Sequence, residues 1–264
     1  MSLGLLRSAR RLLRKKERVL EERFLAEGRQ AVAEALGRPD TVLELLVATD
    51  AVGRHQDLLT AAKQVSVRVH GAAPADLAGL CDTVTPQGVV AVCRSVDVPL
   101  GQSLAGRPQL VVVCDQVRDP GNLGTVVRCA DAFGADAVVV TGDSVDLYNG
   151  KTVRATTGSL FHLPVTVQVE LAGVVAAGRS AGLQVLGADG ATDRTIERLA
   201  TDGVLARPTM WVLGNEAWGL PPERAALLDG LVALPMYGRA ESLNLSTAAA
   251  VFLYASATAQ HSLS

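Results

Sequence analysis

LVVVCDQVRDPGNLGTVVRCA, residues 110–130, runs from an apolar stretch through a break into a second apolar pattern. Leu110–Val113 is too short for a helix and rich in β-branched residues, so it reads as a buried strand. Asp119-Pro120-Gly121-Asn122 is strong turn chemistry. Asn122 is expected to cap the helix that follows, leaving N–H groups that favour an anion. Arg128 lies about two turns into that helix. Apolar runs recur at Ala137–Val140, Val165–Val167, Gln184–Leu186, Met210–Leu213 and Val232–Leu234, with helical stretches between most of them. Strands alternating with helices predict an α/β fold with a mostly parallel, doubly covered sheet.

Upstream, residues 7–23 are charged and Leu-rich, and the helical pattern continues through Phe24–Val32 to about Leu36, where Gly37-Arg38-Pro39-Asp40 stops it. Val42–Val47 reads as a buried strand, Val65–Val69 as a half-exposed one, and residues 89–92 as another. The segment 94–108, with two Pro, two Gly and two Ser, is the best linker candidate. The expected organisation is a smaller N-terminal α/β domain over residues 1–100 and a larger domain over 107–264.

The chain has 264 residues and a net charge of −2, unevenly placed. Arg7, Arg10, Arg11, Arg14, Lys15, Lys16 and Arg18 face only Glu17 within the first 18 residues, a local +6 that leaves −8 for the rest. Such asymmetry points to a polyanion met by one end of the protein. No apolar run approaches a membrane span, and no apolar segment follows the basic start as a secretory signal requires. Cys81, Cys93, Cys114 and Cys129 lack Cys-x-x-Cys spacing and the four histidines are scattered, so no metal is expected.

The 25 glycines include no Gly-x-Gly, against a dinucleotide-binding turn. Gly150-Lys151-Thr152 looks like the end of a phosphate loop, but Val145 stands where that loop needs glycine. Three other loops follow strands and would gather at one sheet edge. They are Cys114–Ala130, Gly214-Asn215-Glu216-Ala217-Trp218-Gly219-Leu220 and Pro235–Ser246, the last leading into an Ala-rich helix that reaches about Ala257. Trp211 reads as core, and Trp218 as a residue able to stack on a base.

Asn122-x-Gly124-x-x-x-Arg128, then Gly214-Asn215-Glu216-x-x-Gly219-Leu220, then Pro235-Met236-x-Gly238-x-x-Glu241-Ser242-Leu243-Asn244-x-Ser246 resemble the three motifs of the SpoU, or TrmH-like, branch of the SPOUT RNA 2′-O-ribose methyltransferases. Their order and strand context match, Lys151–Phe161 is similar to the family's intermediate segment, and the resemblance spans about residues 107–258. Within the family the chain is most similar to ribosomal-RNA enzymes, including those of the thiostrepton-resistance type.

The resemblance implies a parallel-sheet SPOUT domain with a C-terminal trefoil knot, an N-terminal RNA-binding domain and a cytoplasmic homodimer with no membrane association. It implies methyl transfer from S-adenosyl-L-methionine to a ribose 2′-hydroxyl, with 23S ribosomal RNA the expected substrate. Transfer RNA, or a catalytically silent RNA-binding protein of the same fold, are the alternatives. By carry-over, Arg128, Asn122, Glu216, Ser242 and Asn244 are the catalytic set. Leu186, Gly187, Leu213, Gly214, Asn215, Glu216, Leu234, Met236, Ser242 and Leu243 hold the cofactor, and the seven basic residues at 7–18 contact RNA.

Overall fold

The computed structural model describes residues 3–190 and 192–262. It divides into two units: the first comprises residues up to Val96 together with Asp146–His162, and the second comprises Asp97–Val145 and Leu163 onward.

In the first unit, β1 (Arg23–Glu27), β2 (Val42–Ala48), β3 (Arg68–Ala72) and β4 (Val89–Arg94) form a sheet of order β1-β4-β2-β3. β4 lies antiparallel to both neighbours, and β2 pairs with β3 in parallel. The single long helix expected from residue 7 to Leu36 does not form. One helix spans Leu3–Arg11, a second, Lys15–Glu21, ends at Glu22, whose φ of 50° is left-handed, and a strand precedes the helix Arg29–Gly37. Phe24, Leu25 and Ala26 are all buried. A strand covered on both faces loses its alternation and can imitate a helical apolar run. The strand expected at 65–69 begins instead at Arg68, because Ser66 (φ 59°) turns the chain where Val67 N–H bonds to Ala62 O at 2.8 Å.

Asp146–His162 is part of this unit through specific contacts. Phe24 packs against Tyr148 and Phe161 at ring-centroid distances of 4.6 and 6.2 Å. The Arg18 side chain, 7% exposed, donates to Asp146 at 2.5 Å and to Leu12 O at 2.8 Å. Removing one partner of a buried ion pair strands the other. Arg18→Gln is therefore expected to destabilise the unit by about 3–5 kcal/mol, read as a lowered urea midpoint.

In the second unit, β5 (Leu110–Cys114), β6 (Ala137–Thr141), β7 (Val165–Val169), β8 (Gln184–Ala188), β9 (Thr209–Leu213) and β10 (Gly230–Val232) form a parallel sheet of order β10-β8-β9-β5-β6-β7. Every residue of β5, β6 and β9 is buried, so these strands read as continuous apolar runs. Trp211, fully buried on β9, lies 4.6 Å from Phe252 and donates to Ser256 Oγ at 2.9 Å, fixing the last helix, Leu245–His261, to the sheet. The chain passes from β5 outward to β6 and β7, then crosses to β8 on the far side of β9. That reversal is where open α/β sheets bind ligands, beyond the strand carboxyl ends.

The division between the units at Val96 and Asp97 falls within the expected linker, and one strand boundary differs from expectation. The segment 94–108 is ordered: it contains the helix Leu100–Ser103, Val98 N–H donates to Val165 O, and Ser103 Oγ bonds Thr166 Oγ1 at 2.8 Å. The strand expected at 232–234 is Gly230–Val232, with Ala233 bridged to Thr195, so the third loop begins at Leu234.

Candidate functional site

β5 delivers its chain to the first loop, and Asp115 N–H bonds Leu213 O at 2.8 Å, which fixes the ends of β5 and β9 together. The helix Pro120–Ala132 is capped by Asp119, whose carboxylate accepts from Asn122 N–H at 2.8 Å. Asn122 is therefore not the cap but a first-turn residue, because Pro120 takes the first helical position and puts the cap at Asp119, three residues earlier. Its amide is freed for other work.

That work joins the three loops. Glu216 accepts from the Arg118 and Asp119 N–H groups at 3.1 and 3.0 Å and from Asn122 Nδ2 at 3.2 Å. Asn122 Oδ1 accepts from Asn244 Nδ2 at 2.9 Å, while Asn244 Oδ1 caps the last helix through Ser246 N–H at 2.9 Å and Thr247 N–H at 3.4 Å. Asn244, Asn122 and Glu216 thus form one hydrogen-bonded chain across 122 residues of sequence.

Burial pushes the Glu216 carboxyl up, but the N–H donors of Arg118 and Asp119 outweigh it, and the group sits below its ordinary value of 4.5. A depressed carboxylate contributes stability above its unfolded pKa and loses it as pH falls through the folded one. The difference in urea midpoint between wild type and Glu216→Gln should therefore stay constant from about pH 8 to about pH 5 and close at lower pH.

The second loop is built on two glycines. A Cβ on Gly214 would stand 2.4 Å from Gly219 O, and Gly219 itself has φ +66°. Asn215 and Gly219 exchange both backbone hydrogen bonds at 2.9 Å, Asn215 Nδ2 donates to Gln116 O, and Asn215 Oδ1 accepts from Ala217 N–H. Asp115, Asp143 and Arg224 escaped the sequence reading. Arg224 bridges the fully buried Asp115 at 2.7 Å and Asp143 at 2.8 Å, tying the ends of β5 and β6 to the helix after the second loop. Burial raises the Asp115 carboxyl, and the Arg224 guanidinium draws it partly back. An aspartate directly after a wholly apolar strand was the signal available.

Two expected residues are not drawn into this chain. Arg128 is exposed and, among the described residues, makes no side-chain hydrogen bond or ion pair within the chain. Six residues separate it from Asn122, about 240° around the helix, so the two face different directions. Ser242 is exposed and likewise unbonded among the described residues. Of the basic group, Arg7, Arg14, Lys15 and Lys16 are exposed, Arg10 stands 3.7 Å from Asp76, and Arg11 is paired with Glu17 and Glu21. Arg18 is a correction: buried and bound to Asp146, it has no surface to offer a phosphate.

The expected cofactor residues lie where β8, β9 and β10 end side by side, with Gly187 paired to Val212 and Leu231. Leu186, Gly187, Leu213, Gly214 and Asn215 are buried there; Leu234 and Met236 are half-buried, and Leu243 is 40% exposed. Among the described residues, the backbone of residues 234–243 makes no hydrogen bond within the chain. Apolar walls beside free peptide donors and acceptors fit a purine nucleoside carrying an apolar-linked sulfonium and an amino-acid tail. Trp218 is 57% exposed.

Residues 109–254 match the family described as SpoU rRNA Methylase, and residues 25–99 match RNA 2'-O ribose methyltransferase substrate binding. The chain is 34% identical over 248 residues to 23S rRNA (guanosine(2553)-2'-O)-methyltransferase RlmP of Bacillus subtilis (strain 168), covering 93% of this chain and 92% of the relative. The SpoU methyltransferase AviRb of Streptomyces viridochromogenes, solved in complex with the cofactor AdoMet, superposes with a TM-score of 0.84 at 30% identity, covering 98% of this chain and 99% of that one. An AdoMet-bound rRNA methyltransferase from Sinorhizobium meliloti gives a TM-score of 0.80 at 28% identity, covering 97% and 95%.

Proposed function

Because the chain belongs to the SpoU rRNA methylase family, we propose that it methylates a ribose 2′-hydroxyl of 23S ribosomal RNA, using S-adenosyl-L-methionine. The observation that carries this reading is the hydrogen-bonded chain Glu216–Asn122–Asn244, which unites the three motif loops beside the carboxyl ends of β8, β9 and β5.

Residues around Leu186, Gly214, Leu234, Met236 and Leu243 hold the cofactor, which supplies a methyl group already activated on a sulfonium. What remains for the protein is to orient the acceptor and to stabilise charge developing on a weakly acidic alcohol. A guanidinium keeps its proton at neutral pH. Arg128 therefore acts by electrostatics on the 2′-oxygen and the adjoining phosphate, not as a base. Asn122, Glu216 and Asn244 set the loops that receive the ribose, and Ser242 contacts the nucleotide.

The active enzyme is a homodimer in which Arg128 serves the partner's site. Its orientation away from its own Asn122 supports this. So does the exposure of Val251 and Tyr254, at 40% and 60%, on the last helix, with Phe133 edge-on to Tyr254 at 5.6 Å. The return of the chain after β10 to the first motif through Asn244 supports the trefoil knot. The first unit binds RNA, with Arg7, Arg14, Lys15 and Lys16 as its exposed phosphate contacts. The reaction belongs to the cytoplasm, where four free thiols stay reduced; among the described residues no helix is long and apolar enough to cross a membrane.

Labelled S-adenosylmethionine offered in parallel with unmodified 23S RNA and bulk transfer RNA tests the substrate. Label on 23S RNA alone is expected; label on transfer RNA alone overturns that assignment, silence on both with cofactor bound points to an assembly-stage substrate, and silence with no cofactor binding favours the silent alternative.

A further inference from the structure

The first unit contains a cavity of about 210 Å³ that the methyl-transfer chemistry does not use. It is bounded by the β1–helix junction at Gly28–Ala31, by the loop Thr83–Gln87 and by Arg154 and Thr157. The last two lie outside residues 25–99, the range matched to substrate binding, in the segment Asp146–His162 that packs into this unit.

The walls are built rather than fortuitous. Glu27, 7% exposed, accepts from Asp82 N–H at 3.0 Å, from the Thr83 hydroxyl and from Arg154 Nη1 at 3.1 Å. With three donors on its two oxygens, this carboxylate organises the loop and the guanidinium. Gln87 is fixed twice: its carbonyl meets His55 Nε2 at 2.9 Å, and its Oε1 accepts from Arg29 N–H at 2.7 Å. That arrangement leaves the two amide N–H donors of Gln87 uncommitted. Gly28, at φ +92°, takes a backbone conformation that side-chain-bearing residues rarely adopt, and so turns the chain beside Gln87.

Two further groups are free for a ligand. Among the described residues the hydroxyls of Thr85 and Thr157 make no hydrogen bond within the chain. Thr157 also has φ +53°, a conformation rare for a β-branched residue. Strain of this kind tends to collect at binding sites. At the crest of the same loop Val84 is fully exposed.

A space of about 210 Å³ corresponds to roughly seven waters' share of liquid, the scale of one heterocycle. Amide donors, hydroxyls able to donate or accept, and a guanidinium plane are what recognise the edge and face of an unstacked base. We propose that this cavity is a nucleotide subsite taking one flipped-out base of the RNA substrate, read by Gln87, Thr85 and Thr157 against Arg154. The subsite rests on the methyltransferase reading, and it makes a segment of the methylase sequence part of RNA selection.

The test is the double variant Thr85→Val, Thr157→Gly, which removes both hydroxyls and relieves the positive φ. On unmodified 23S RNA its KM for RNA should rise about tenfold or more, with kcat at saturating RNA, cofactor Kd and Tm at wild-type values. Ultraviolet crosslinking of a 4-thiouridine-substituted transcript should mark the peptide containing Thr83–Gln87 in the wild type and lose that mark in the variant. A variant KM within twofold of wild type overturns the subsite while leaving methyl transfer standing. Absence of cofactor binding by the wild type, with no turnover on this transcript or on transfer RNA, overturns the methyltransferase reading, and the subsite with it.

Discussion

Arg128→Ala is expected to lower methyl transfer by about 100- to 1,000-fold while cofactor Kd and Tm stay at wild-type values. The side chain makes no bond within its own chain among the described residues, so its removal leaves no orphaned partner and no cavity. In the proposed role, its loss removes a positive charge from beside the oxygen where negative charge develops, an interaction stronger in the transition state than in the ground state. The split between kcat and cofactor binding is therefore the signature to measure. A mixing experiment locates the arginine. Neither Arg128→Ala nor Glu216→Gln is expected to support normal turnover alone. If Arg128 acts in the partner's site, a heterodimer of the two rebuilds one intact site, and random mixing should restore about a quarter of wild-type activity. If it acts in its own, mixing restores nothing.

Gly214→Ala should be the most damaging single methyl group in the second unit. Its Cβ would meet backbone on every near side: Gly219 O at 2.4 Å, Gly219 C at 2.5 Å and Leu220 N at 2.8 Å. These atoms cannot rotate away as a side chain would, and the Asn215–Gly219 double hydrogen bond fixes them. Relieving the clash means opening that loop, at a cost of about 1–3 kcal/mol. Since Glu216 rides on the same loop, cofactor affinity is expected to fall by about ten- to a hundredfold. Calorimetric titration of S-adenosylmethionine into the folded variant checks it, and unaltered affinity would show that the loop accommodates the methyl group without opening.

The second unit was the more legible of the two. Its central strands are buried on both faces, so the sequence at Leu110–Val113, Ala137–Val140 and Met210–Leu213 carries short unbroken apolar runs, Val-rich in the first two. The same double burial misleads in the first unit, where Phe24–Ala26 sits between charged helices and passes for one of their turns. Motif residues Asn122, Glu216 and Asn244 were legible as a set, but their mutual bonding was not, because it depends on contacts 94 and 122 positions apart. Arg18 shows the opposite failure: seven basic residues along two helices look alike until one of them finds a half-buried carboxylate 128 positions away. Arg224 carried no signal of its own, and only the fold reveals that it neutralises Asp115.

The central claim is that the methyl group goes to a ribose hydroxyl of 23S RNA. The direct measurement is digestion of the labelled product to nucleosides, followed by mass spectrometry of the methylated one. The account predicts a 2′-O-methylnucleoside whose label stays with the sugar when the glycosidic bond is cleaved. Label that leaves with the base would contradict it, because the role proposed for Arg128 at a 2′-oxygen and its phosphate would then have no part in the reaction.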